Sequence, residues 1–75
     1  MKKIFQVGAG LVGKTMALDL SQDYELHLAD IDLDLLNSIK NHDNSIHVNQ
    51  IDVQNQSELS SWIAEADIVL SLIHI

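Results

Sequence analysis

Apolar and polar positions along the chain alternate between two periods, and the switches between them mark out the elements. Ile4 to Val7 is a short apolar run ending at Gly8, which reads as a strand followed by a sharp turn. From Leu11 the spacing becomes helical: Val12, Met16 and Leu20 share one face, with Gly13 and Ala17 beside it. Tyr24 to Ala29 alternates as a second strand and stops at Asp30. Asp32 then reads as the N-cap of a helix carrying Leu35, Leu36 and Ile39, which fades at Asn41-His42-Asp43-Asn44. Ile46 to Val53 is a third, more polar strand suited to a sheet edge. Asn55 with Glu58 three positions on looks like a capping box for a helix bearing Leu59, Trp62, Ile63 and Ala66. Asp67 closes that helix, and Ile68 to Ile73 reads as a nearly continuous buried strand.

The order is therefore β-α-β-α-β-α-β with short connections, which calls for a parallel sheet crossed over by helices. The fold expected is α/β: half of a doubly wound Rossmann-type sheet, strand order 3-2-1-4, with helices on both faces. Gln6 stands out within the first strand, because a buried amide needs partners. Periodicity assigns it no function.

Composition narrows the picture. The chain has 75 residues, enough for one small domain. It is 47% hydrophobic and 20% charged, with aromatics only at Phe5, Tyr24 and Trp62, so the core must be aliphatic. Eleven acidic residues against four basic ones give a formal charge of −7, which argues against nucleic-acid binding. A bound dinucleotide is compatible with that charge, since a helix N-terminus supplies local positive potential through its N–H groups. With no Cys, disulfides and thiolate-bound zinc are excluded. The apolar run from Ile68 is too short to span a bilayer, and the N-terminus lacks a signal-peptide pattern, so a cytoplasmic protein is expected.

Gly8-Ala9-Gly10-Leu11-Val12-Gly13 fits G-x-G-x-x-G, and each glycine has a mechanical role. Gly8 permits the turn out of the strand, Gly10 lets the backbone approach a pyrophosphate, and Gly13 lets the helix pack closely on the sheet. The partner expected of such a loop is Asp30, at the end of the second strand and followed by Ile31. A carboxylate there can accept hydrogen bonds from the adenine ribose and repel a 2′-phosphate. With no Arg after it, the reading favours NAD over NADP; the competing reading is that Asp30 forms a turn. The same segment, Gly8 through Thr15, also matches G-x-x-x-x-G-K-[ST], in which Lys14 would contact phosphates and Thr15 would hold Mg²⁺. Against that phosphate-loop reading stand the short chain, the redundancy of Gly10 and the early second strand.

Weaker signals sit at other strand ends. Asp52 and Val53 stand where such sheets touch the adenine, although Asp52 equally suits a turn. Ser71 and Leu72 lie at the expected crevice beside the first strand, near the pyrophosphate or nicotinamide ribose. His27, His42, His47 and His74 show no metal-ligand spacing, and Trp62 reads as core.

Gln6 to Lys14, Leu28-Ala29-Asp30, Ile51-Asp52-Val53 and Asp67 to Ile73 together resemble the N-terminal segment of saccharopine dehydrogenase-like proteins, including lysine 6-dehydrogenase relatives. The resemblance covers nearly the whole chain, and it implies NAD(P) binding here with the substrate site in a later domain. It also implies hydride transfer at a carbon–nitrogen bond of an amino acid such as saccharopine or lysine. Many members place Pro after the segment matching Ser71-Leu72-Ile73, where this chain has His74. Residues 1–75 are thus expected to be the cofactor-binding part of an oxidoreductase, with no catalytic residue among them. A nucleotide-sensing module of a potassium-transport protein is the alternative, sharing the loop and the acidic residue. Finally, an apolar last strand with no Pro or Lys on its open edge predicts a two-fold antiparallel pair of chains.

Overall fold

The computed structural model describes residues 2–8, 10–52 and 54–71. In chain order the elements are β1 (Lys3–Val7), α1 (Gly10–Leu20), β2 (Glu25–Asp30), α2 (Leu33–His42), β3 (His47–Gln50), α3 (Gln56–Ile63) and β4 (Ile68–Ser71). The four strands form one sheet in the order β3-β2-β1-β4, every pair parallel, so the expected Rossmann-type topology is the one observed. Parallel pairing also puts the carboxyl ends of all four strands on one edge of the sheet.

Alternation within each strand sends neighbouring residues to opposite faces. Ile4, Leu26 and Leu28 point to one face and meet Ala17 of α1 and Leu36 and Ile39 of α2, with Ile46 completing the cluster. Leu26, Leu28, Leu36, Ile39 and Ile46 are all fully buried. The face of α1 turned to the sheet centres on Gly13 and Ala17, with Met16 and Leu20 only half-buried. Small residues there let the helix axis approach the strands. Phe5 takes the opposite face, where Trp62 of α3 packs on it at 4.7 Å between ring centroids.

Local chemistry sets the helix ends. The Asp32 side chain accepts from the Leu35 N–H at 3.1 Å, and Asn55 accepts from Glu58 N–H at 3.2 Å, so both expected N-caps form. Glu58 does not return to the Asn55 backbone; its carboxylate instead takes a long 3.4 Å bond from the Asn55 amide. At the start of β4, Lys3 N–H donates to Asp67 Oδ2 at 2.8 Å and Asp67 N–H donates to the Lys3 carbonyl at 3.0 Å. That pair pins β4 beside β1.

Two boundaries and the burial of one strand differ from expectation. The third strand is His47–Gln50, shorter than expected: Ile51 N–H makes a last bond to the Asp30 carbonyl of β2, and Asp52 then begins a turn. The last helix ends at Ile63, leaving Ala66 in the turn that leads to Asp67. The fourth strand is not buried: Ile68 is 41% and Val69 44% exposed, since among the described residues no strand lies beyond it. The self-pairing expected of residues 68–75 rests partly on 72–75, which lie outside the described residues.

Candidate functional site

The glycine loop joins the carboxyl end of β1 to the first turn of α1. Gly8 has φ of 91° and Gly10 of 67°, in the left-handed region that side chains disfavour. Gly8 N–H donates to the Ala29 carbonyl at 2.8 Å, so the loop stays tied to β2 as it leaves the sheet. A Cβ built on Gly10 would meet nothing within 4 Å: the space in front of the loop is open. Gly13 is buried, as close packing of α1 requires. The N–H groups of the first helical turn have no carbonyl one turn back to bond, and that turn carries no acidic residue. A cradle of backbone donors with a clear approach therefore stands at the carboxyl edge of the sheet, and it fits a phosphate group. The positive φ of Gly10 also gives that residue the role it lacks in the phosphate-loop reading.

Gln6 supports this loop from below, a role the chain's periodicity did not reveal. Its side chain is fully buried, and Nε2 donates to the Gly8 carbonyl at 3.1 Å and to the Gly13 carbonyl at 2.9 Å. One amide thus links β1 to both ends of the loop. Its Oε1 is buried without a partner. The signal was the lone polar residue in an apolar strand directly before the glycines.

The other expected residues lie along the same edge. Asp30 ends β2, and its Oδ1 accepts from Asp32 N–H at 2.9 Å; Ile31 beside it is 59% exposed. Gln50 Nε2 donates to the Ile31 carbonyl at 3.1 Å, tying β3 to the segment after β2. Asp52 is exposed; its Oδ1 accepts from Gln54 N–H and its carbonyl from Asn55 N–H, both at 2.9 Å, so the turn-forming reading describes it. Ser71 ends β4 opposite Val7. Leu11 and Val12 lie in the first turn of α1. Ala9, Val53 and Leu72 fall outside the described residues, as does His74. Topology therefore gathers Gly8, Gly10, Gly13, Asp30, Ile31, Asp52 and Ser71 on one edge.

A second cluster arises on the sheet face under α3. Parallel register sets Phe5 beside His27 and His27 beside His47. The three rings stack, with 4.4 Å between the centroids of Phe5 and His27 and again of His27 and His47. His27 Nε2 lies 2.7 Å from Glu25 Oε2. That hydrogen bond, aided by the nearby charge of His27, Lys3 and His47, holds the Glu25 carboxyl below its ordinary range. An open cavity of about 590 Å³ lies over these rings, walled by Trp62 and Glu65 on the other side. The linear spacing of the histidines concealed this grouping.

Comparison with known proteins places the chain. The model of the saccharopine dehydrogenase NADP-binding domain matches residues 4–74. Among solved structures, the PbgP3 protein from Burkholderia pseudomallei superposes with a TM-score of 0.80 at 23% identity, over 99% of this chain and 26% of that one. That likeness speaks for the fold, and the chain spans about a quarter of the solved protein's length. No curated protein matches the chain at a significant level. No helix among the described residues is long and apolar enough to cross a membrane. The family's description names NADP, the reverse of the preference for NAD that Asp30 suggested. The physical ground for that preference is weaker than it looked, because one Asp30 oxygen is engaged by the turn into α2. By its fold, its glycine loop and this match over nearly its full length, the chain belongs to the family of saccharopine dehydrogenase NADP-binding domains.

Proposed function

We propose that this chain holds a nicotinamide dinucleotide of the NADP type on behalf of an oxidoreductase acting at the carbon–nitrogen bond of an amino acid. The observation that carries the reading is Gly10, at positive φ and facing open space where a Cβ would stand, at the head of α1. Gly8 to Gly13 would receive the pyrophosphate, with Ala9, Leu11 and Val12 offering backbone groups. Asp30 and Ile31 would lie along the adenosine ribose, Asp52 and Val53 toward the adenine, and Ser71 and Leu72 toward the nicotinamide ribose. When bound, the nicotinamide supplies hydride transfer. The chain's own contribution is binding and orientation, and the substrate-binding and catalytic groups belong to a further domain.

Titration with NADPH and NADH by calorimetry tests the reading. Binding should be saturable and one to one, and Gly10→Val should abolish it while circular dichroism reports an intact fold. Lys14→Ala should change affinity by no more than a few fold. A chain that ignores both dinucleotides overturns the proposal. If it binds Mg-ATP instead and loses that binding with Lys14→Ala, the phosphate-loop reading replaces it.

A further inference from the structure

We propose that Glu25, His27 and His47 form a binding site for a divalent transition-metal ion, Zn²⁺ foremost, on the sheet face under α3. One ligand atom from each of the three lies within 4.8 Å of the other two. Glu25 and His27 are two apart on β2 and project to the same face, and His47 is the register partner of His27 on β3. A sheet holds such a triangle more firmly than a loop does, because strand spacing fixes the Cβ positions.

The donor set is chemically apt. Two imidazoles and one carboxylate suit Zn²⁺, Ni²⁺ or Cu²⁺ and leave further coordination positions for solvent. Ligand atoms on a tetrahedral Zn²⁺ sit roughly 3.4 Å apart, given metal–nitrogen bonds of about 2.1 Å. The Glu25–His27 pair, now at 2.7 Å, would open slightly as the metal replaces the shared proton. At the 4.8 Å limit His47 must turn inward by roughly 1.4 Å to reach that spacing. It is exposed and can rotate, whereas His27 is held against Phe5. The two imidazoles now stack 12° from parallel, and bringing one nitrogen of each onto a single ion should open that stack.

Charge of both signs surrounds the three ligands, with Lys3 near Glu25. Glu65 lines the same cavity, and Lys40, the one described lysine on its wall, donates through Nζ to the Asn44 and Ile46 carbonyls at 2.8 and 2.9 Å. The glycine loop lies at the carboxyl edge of the sheet, so this site is independent of dinucleotide binding.

Trp62, the sole tryptophan, lines the cavity and reports on it. In the full chain, Ni²⁺ should quench Trp62 fluorescence saturably at micromolar concentration, and Zn²⁺ should reverse the quenching by competition at one equivalent. His47→Ala, a substitution at an exposed side chain, should weaken Zn²⁺ binding at least about tenfold. His42→Ala should leave it unchanged, and Glu25→Gln should fall between. Absence of binding below millimolar Zn²⁺, or affinity unaltered by His47→Ala in a chain of unchanged circular dichroism, overturns the site.

Discussion

The two faces of one sheet are built from alternate residues of the same strands, and they have opposite characters. Under α1 and α2 the surface is aliphatic and sealed: Leu26, Leu28, Leu36 and Ile39 are at most 1% exposed. Under α3 it is aromatic and polar, with Phe5, His27 and His47 in a row beneath an open cavity and Val69 44% exposed at its end. The difference separates two tasks. Close packing of branched aliphatic side chains supplies stability and leaves nothing reactive, whereas the row of rings runs from buried Phe5 to exposed His47 and leaves its outer nitrogens reachable.

Truncating one side chain on each face tests that division of tasks directly. Leu28→Ala should cost about 2–5 kcal/mol, a large share of the stability of so small a chain. His47→Ala should cost about 0.5 kcal/mol or less. Urea denaturation measures both, and equal losses would mean that the second face is a core as well.

Gln6 is the buried polar side chain of the sealed face, and Gln6→Leu tests its part there. The Gly8 and Gly13 carbonyls would lose their donor, at a cost of about 1–2 kcal/mol, partly offset by removal of the unpartnered Oε1. NADPH affinity should fall several fold as the loop loosens, while the helix content seen by circular dichroism stays the same.

The smallest effect lies away from both faces, where Asp43 ties two turns together. Its Oδ2 accepts from Ser21 Oγ at 2.6 Å, and its Oδ1 accepts from the Ser45 hydroxyl and N–H at 2.6 and 2.9 Å. The Ser21 bond, followed by those from Ser45, draws its pKa down to about 2. A lowered carboxyl pKa adds stability that is present above its ordinary value and lost as the pH falls through the folded value. Asp43→Asn should therefore flatten the decline in melting temperature between about pH 4 and pH 2 and change little at neutral pH. An unaltered acid limb would show that this carboxylate does not couple to folding.

Much of the fold was legible in the chain's periodicity. Strands and helices alternate with short connections, which called for a parallel sheet; the order 3-2-1-4 came with the Rossmann-type reading, and Asp32 and Asn55 announced their helices. The glycine loop was legible for the same reason: its residues are contiguous. What escaped depends on register across an intervening helix. His27 and His47 become neighbours only once β2 and β3 are paired residue by residue, and no spacing rule along the chain anticipates that. Gln6 was visible as an anomaly, but its purpose required the loop to be folded over it. The apolar run after Asp67 suggested a buried strand because hydrophobicity reports what a segment can bury, and Ile68 and Val69 are left exposed. The nucleotide preference read from Asp30 treated its carboxylate as facing the ligand, whereas Oδ1 serves the backbone of Asp32.

The clasp between Lys3 and Asp67 has a kinetic consequence. These residues are 64 positions apart, and β1 is one of the two inner strands, paired with β2 on one side and β4 on the other. Its pairing with β2 closes a short loop around α1, but its pairing with β4 closes nearly the whole chain. Closure entropy grows only as the logarithm of loop length, yet contacts this remote still slow the search for the native state. The three-stranded part, β3-β2-β1, should therefore assemble first and β4 should dock last. During synthesis β1 stays one-sided until Asp67 has left the ribosome, and over that interval its free edge is open to mispairing.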